Sequence, residues 1–209
     1  MLLAFDTATT RVTVALHDGE RVVASLDSDE GLRHGELLAP AIDRVLRDAE
    51  AIPQDVSAVA VGVGPGPFTG LRVGLVTART MALALGVPVH GVCTLDILAA
   101  EAVDAGLDDF LVATDARRKE VYLASYADGQ RDDDPRVVRP GDVVTDRLVV
   151  GRGASLYPEA FPNAAGPEHP SAGVLCDVVL RERHQLLDPE PLYLRRPDVM
   201  EPRAPKRVS

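Results

Sequence analysis

Leu111-Val112-Ala113-Thr114-Asp115-Ala116-Arg117-Arg118-Lys119-Glu120-Val121-Tyr122-Leu123-Ala124 reads as an apolar strand ending in Asp, a short charged turn and a return strand. The chain opens on the same order of features. Leu2 to Asp6 is apolar and ends in Asp, a polar turn follows, and Arg11 to Leu16 alternates. Asp6 and Asp115 stand 109 positions apart, as do Val12 and Val121. Two copies of one unit are expected, and with them an α/β chain of two related halves.

The first copy continues with a third strand over 21–26, reached through the Asp18-Gly19 turn. A helix is expected over 32–49, with Leu38, Ile42, Val45 and Ala49 on one face. A strand over 58–64 leads to a second helix over 69–85, capped by Thr69 and closed by Gly86. A short strand over 87–92 and a third helix over 94–105, with Thr94 as its N-cap, complete the half. The second copy is eroded. Strands are expected over 110–115, 121–127 and 148–150 and a last helix near 172–183, while 151–173 is rich in Gly, Pro and Ala where a full copy would carry helices. The expected division is a first subdomain over 1–106, a reduced second over 107–196 and a disordered tail over 197–209.

With 209 residues and 46 % hydrophobic composition the chain can bury a core. Its start is not basic and no later apolar run approaches a membrane span, so a cytosolic location without a membrane partner is expected. Cys93 and Cys176 lie far apart and read as two reduced thiols. The formal net charge of -10 speaks against gripping nucleic acid alone, because phosphate neutralisation dominates that affinity. Basic residues cluster only locally, as at Arg117-Arg118-Lys119 and Arg195-Arg196.

No two of the five histidines stand three or four apart, so a helical metal pair is lacking, and no serine sits in a Gly-x-Ser-x-Gly elbow. Gly64-Pro65-Gly66-Pro67-Phe68-Thr69-Gly70 resembles a phosphate cradle, yet Pro65 and Pro67 remove two amide donors and no Gly-Lys-Ser/Thr follows. A stiff strand-to-helix connection is the better reading. Asp6-Thr7-Ala8 and Asp115-Ala116-Arg117 sit where a duplicated actin-like fold has its phosphate loops, but Ala8 and Arg117 stand where glycine would let backbone approach phosphate. The aspartates read as turn caps or, alternatively, as the site of an actin-like ATP-binding enzyme. No catalytic residue, cofactor or metal ligand is assigned.

The second helix is the informative element. Only Arg72 and Arg79 are charged between 69 and 85. Leu71, Leu75, Ala78, Ala82 and Leu85 form one apolar stripe, and Val73, Val76, Met81, Leu83 and Ala84 fall largely outside it. A helix apolar almost all round is either buried between layers or meets a partner. The expected partner interface comprises Leu37, Leu38 and Ala41 of the first helix with Leu71, Gly74, Leu75, Ala78, Met81 and Ala82 of the second.

Six stretches resemble the TsaB (YeaZ) family: Leu3 to Ala8, His34 to Pro40, Gly64 to Gly74, Thr94 to Ala99, Asp115 to Tyr122 and Tyr193 to Arg195. The Gly64 to Gly74 stretch is the most specific. The resemblance implies a duplicated actin-like, ribonuclease-H-like (ASKHA) fold of two mixed-sheet subdomains. It implies a non-catalytic scaffold subunit that docks the catalytic paralogue TsaD, with the ATPase TsaE, for threonylcarbamoyl transfer to adenosine beside the anticodon. It further implies first-domain helices packed on TsaD or on a second copy in a homodimer, and tRNA reached only through the complex. TsaD holds its metal through a His-x-x-x-His pair that this chain lacks, which counts against a protease.

Overall fold

A computed structural model describes residues 1–28, 31 and 33–195. The chain begins with β1 (Leu2–Asp6), β2 (Thr13–His17) and β3 (Val22–Asp27), then α1 (His34–Asp48), β4 (Ala58–Gly62), α2 (Phe68–Leu85), β5 (Val89–Val92) and α3 (Thr94–Asp104). The second half comprises β6 (Phe110–Asp115), β7 (Val121–Ala127), β8 (Gln130–Arg131), β9 (Arg136–Val138), β10 (Leu148–Val150), α4 (Arg152–Leu156) and α5 (Ala172–Leu180).

The repeat read from the sequence is a repeat of pairing. In the first sheet the order is β3-β2-β1-β4-β5, with β1 antiparallel to β2 and parallel to β4. In the second the order is β10-β6-β7-β8, with β6 antiparallel to β7 and parallel to β10. Asp6 pairs with Thr13 at the end of one hairpin and Asp115 with Val121 at the end of the other. Where the first sheet has β5, the described part of the second half keeps only an isolated parallel bridge, Val149 with Ala164 beside β10.

The layers exchange helices across the halves. One face of the first sheet is covered by α1 and α2, the other by α5, which comes from late in the chain. Meanwhile α3 packs on the second sheet against β6, β7 and β10. The two sheets thus fall on either side of the 106/107 boundary, and their covering helices cross it. β1 and β2 are covered on both faces, which explains why every residue of both is buried and why the small Ala4 and Ala15 stand on the α5 side. Among the described residues, the outside of the second sheet meets the five residues of α4 and irregular chain around Phe161.

Several local expectations change. The first helix begins at His34, and residue 32 and the tail over 197–209 lie outside the described residues. Thr69 is not a cap: the N-cap of α2 is Pro67, without a side-chain bond, and Thr69 is exposed in the first turn. Nor does Thr94 cap α3, whose N-cap is Cys93, because the Thr94 hydroxyl is drawn into the core. Gly86 does close α2, in the left-handed conformation that glycine adopts without strain (φ 69°). A short helix, α4, forms inside 151–173, where no helix was expected. By length and composition α2 is apolar enough to cross a membrane, contrary to the sequence expectation, yet one of its faces is packed against β4, β1 and β5.

Candidate functional site

The two aspartate turns are built alike and sealed differently. Asp6 Oδ1 accepts from the Ala8 N–H at 2.6 Å, and Asp115 Oδ1 from the Arg117 N–H at 2.7 Å. Both therefore cap their own turns, the bond pattern of an Asx turn. Asp6 is 0 % exposed, and its Oδ2 accepts from the Thr94 hydroxyl at 2.7 Å. The same hydroxyl accepts from the Gly64 N–H at 3.2 Å, so β1, the Gly64–Gly70 connection and α3 are tied at one oxygen. A Cβ on Gly62 would lie 1.7 Å from Asp6 Oδ2, so glycine is required there. Burial pushes the Asp6 carboxyl above its usual range, opposed by the Thr94 and Ala8 bonds and by His34.

Asp115 is partly exposed and pairs with the Arg117 guanidinium at 3.2 Å. Arg117, Arg118 and Lys119 all take positive φ (62°, 55° and 61°), a conformation costing side-chain-bearing residues roughly 1–2 kcal/mol each. Between the turns lies a cavity of about 240 Å³, lined by Ala8, Thr9, Thr10, Pro67, Thr114, Asp115, Arg117, Arg152, Leu156 and His169. Asp6 does not line it. The two aspartates therefore do not converge on one accessible site.

The Gly64–Gly70 stretch joins β4 to α2, the strand-to-helix connection expected of it. The Gly64–Pro65 peptide bond is cis, and the Gly66 Cα stands against the Ala8 carbonyl, where an added Cβ would lie 2.2 Å from its oxygen. Thr7 fixes the helix that follows: its hydroxyl donates to the Gly70 carbonyl at 2.8 Å and accepts from the Gly74 N–H at 3.1 Å. His34 Nε2 donates to the Thr9 carbonyl at 2.7 Å, seating α1 beside the same turn.

The nine residues expected at the partner interface are mostly core. Leu38, Ala41, Leu71, Gly74, Leu75, Ala78 and Ala82 are buried within the chain, and Leu37 and Met81 are half-buried against the same core. The physical reason is that a helical period identifies residues sharing a face, not which face turns inward when both sides are apolar. The outward apolar side chains are Val76 at 61 % exposure and Leu83 at 84 %, with Ala84 exposed beside them and Val73 and Met81 on the flanks. On α1 the outward face is charged, with Arg44–Asp48 and Arg47–Asp43 pairs, so it adds little apolar surface.

A strap over 187–195 borders α2. Leu187 pairs with Gly91 through two backbone bonds, and the Leu192 N–H donates to Val63. Arg79 pairs with Glu190 at 2.8 Å, and Arg72 Nε donates to the Tyr193 hydroxyl at 2.9 Å. Both charges of α2 are thus held by the strap. A groove of about 400 Å³ runs between them, lined by Leu75, Val76, Thr80 and Pro191. The role of Tyr193 escaped the residue-level reading because it lies 121 positions from Arg72. Its only sequence signal was its place in the last of the six resembling stretches.

Both cysteines are free and buried, and burial raises each thiol to about 12. Neither is a thiolate nucleophile near neutral pH. Among the described residues no group of three His, Cys, Asp or Glu side chains is placed to hold a metal ion.

A family model for TsaD, tRNA N6-adenosine threonylcarbamoyltransferase, matches residues 30–151. An uncharacterized protein of Mycobacterium tuberculosis is 41 % identical over 206 residues, covering 94 % of this chain and 92 % of that one. The tRNA threonylcarbamoyladenosine biosynthesis protein TsaB of Escherichia coli is 37 % identical over 175 residues, covering 76 % of this chain and 74 % of its own. The solved structure of YeaZ from Pseudomonas aeruginosa superposes with a TM-score of 0.74 at 30 % identity, covering 92 % of this chain and 99 % of that one.

Proposed function

The chain belongs to the TsaB/YeaZ family, and on that premise we propose that it serves tRNA threonylcarbamoyladenosine biosynthesis as a non-catalytic scaffold subunit in the cytosol. One observation carries the reading. The outer face of α2 leaves Val76 and Leu83 in water on a helix whose charges are both turned to the strap. Apolar side chains grouped in this way mark a surface that a partner covers. The partner is a TsaD-like catalytic paralogue. Support comes from the TsaD family model, which matches residues 30–151 and so includes α1 and α2. Two chains built on one unit can pack through equivalent helices, and the same face would serve a homodimer when the paralogue is absent. A TsaE-like ATPase joins the assembly, and tRNA reaches the chain within it.

An ATP-binding enzyme working from Asp6 and Asp115 is the poorer reading. Asp6 has no exposed surface, and both its oxygens are already bonded.

The test is a double substitution, Val76→Glu with Leu83→Glu, followed by size-exclusion chromatography with light scattering, alone and with the TsaD-like partner. Loss of the heterodimer with an unchanged melting temperature is expected. Undiminished association would overturn the assignment of this face.

A further inference from the structure

The cavity beside the strained turn has a chemistry the docking reading does not use. It encloses about 410 Å³ between the start of α2, the Arg117–Arg118 turn and the end of the strap. Phe68, Tyr122 and Tyr193 line it together with Arg117, Arg118 and Arg195. The chain has only four Phe, four Tyr and no Trp, so three of its few aromatic rings meet here. Phe68 and Tyr193 are also its two most exposed rings, at 41 % and 38 %. They stack on each other at 5.5 Å with planes 23° apart, and the Arg72 guanidinium lies 3.8 Å over the Phe68 ring.

The arrangement is held from several sides. The Tyr193 hydroxyl accepts from Arg72. Arg195 donates to the Ala116 carbonyl and pairs with Glu120, which fixes the strap to the turn. The left-handed run of Arg117, Arg118 and Lys119 gathers three cations on a chain of net charge -10. Aromatic faces that accept a planar π-system, beside guanidinium groups that accept a phosphate, form the recognition chemistry of an unstacked nucleotide. The volume suits one nucleotide, within the range of small-ligand clefts.

We propose that this cavity binds a single nucleotide, its base stacked on the Phe68–Tyr193 pair and its phosphate held by Arg117 and Arg118. The inference rests on the reading of the chain as a subunit of a tRNA-modifying machinery, and the nucleotide is one of an RNA strand. The cavity shares Pro67 and Arg117 with the smaller cavity between the aspartate turns. Its aromatic wall sets it apart.

Fluorescence anisotropy of a labelled single-stranded RNA hexamer with the full-length chain tests this, with unlabelled AMP, the unlabelled hexamer and a hexamer duplex as competitors. Binding that weakens with added salt is expected, with the single strand competing better than the duplex, whose bases are already stacked. Tyr193→Ala and Phe68→Ala should each weaken it by about fivefold to a hundredfold, the loss of one stacked base. Arg118→Ala should weaken it and flatten the salt dependence. Val144→Ser, at a fully exposed position away from the cavity, should change nothing. Competition by AMP as strong as by the hexamer would assign the cavity to a free nucleotide. No binding at millimolar protein, or binding indifferent to Tyr193→Ala and Phe68→Ala, would overturn the proposal. The docking test uses no RNA and this one uses no partner, so each can fail without the other.

Discussion

The two halves start from the same hairpin and end as different objects. In the first, α1 and α2 cover one face of the sheet and α5 the other, so both faces of β1 and β2 are dry. In the second, α3 covers the inner face, while among the described residues the outer face meets α4 and irregular chain. The eroded half compensates with polar ties. Arg147 donates to the Phe110 and Tyr126 carbonyls at 3.1 and 2.6 Å and to the Ser125 hydroxyl at 2.7 Å, clasping β6 and β7 at their open end. Duplication supplied one frame twice. The first copy kept a full helical layer, whose outer side is then available to a partner.

The tight half should tolerate added volume least. Gly62→Ala would force a methyl group to 1.7 Å from Asp6 Oδ2, deep in the first core. Overpacking of that kind should cost about 3 kcal/mol or prevent folding. Gly141→Ala, in the thin outer layer of the second half, meets nothing within 4 Å and should leave stability within about 0.5 kcal/mol of the parent. Urea unfolding of the two variants checks the contrast.

Adjacent residues of α2 test the two sides of one helix. Leu75 is 4 % exposed, so Leu75→Glu buries a charge against the sheet and should destabilise the chain by about 3 kcal/mol. Val76→Glu puts the same charge into water and should alter stability by no more than about 0.5 kcal/mol. Equal destabilisation by the two would mean that the outer face is not free surface.

Much of this was legible in the sequence, and what was not has a common cause. The strands Phe110–Asp115, Val121–Ala127 and Leu148–Val150 match their expected limits, because apolar runs bounded by turn residues carry their own signal. The stripe Leu71, Leu75, Ala78 and Ala82 reads as one face, but its direction depends on a sheet whose position no local pattern encodes. Thr94 has the place of a cap, since Thr before a helix usually is one; a partner 88 residues away, Asp6, claims its hydroxyl instead. The crossing of α3 and α5 between the sheets, and the meeting of Phe68 with Tyr193, are likewise long-range facts.

Arg147→Met probes the polar tie of the second half at a smaller scale. The substitution keeps much of the side chain's apolar stem and removes the bonds to two carbonyls and a hydroxyl together with the ion pair to Asp109. Hydrogen bonds from charged donors support a loss of about 2 kcal/mol. Hydrogen exchange should show faster opening at β6 and β7 than at β1 and β2. Uniform acceleration across both sheets would mean that the halves unfold as one unit and that the tie is not local.

The smallest effect is the most specific to the sealed turn. Burial raises the folded pKa of Asp6 above its ordinary 3.8. Over the window above 3.8 the folded chain holds this proton more tightly than the unfolded chain, so the slope of stability against pH is negative. The contribution is complete below that value and fades as pH rises through the folded pKa. Asp6→Asn is nearly the same shape. Its carbonyl can still accept from Ala8, and its amide can donate to the Thr94 oxygen, so the turn is kept while the titration is removed. The melting temperature of the variant relative to the parent should therefore climb from pH 4 to pH 8. Other carboxyls that titrate in this window, such as Glu101, are present in both proteins and cancel in the difference. A difference that stays flat with pH would show that Asp6 takes up no extra proton on folding, and that the first turn is no more closed to water than the second.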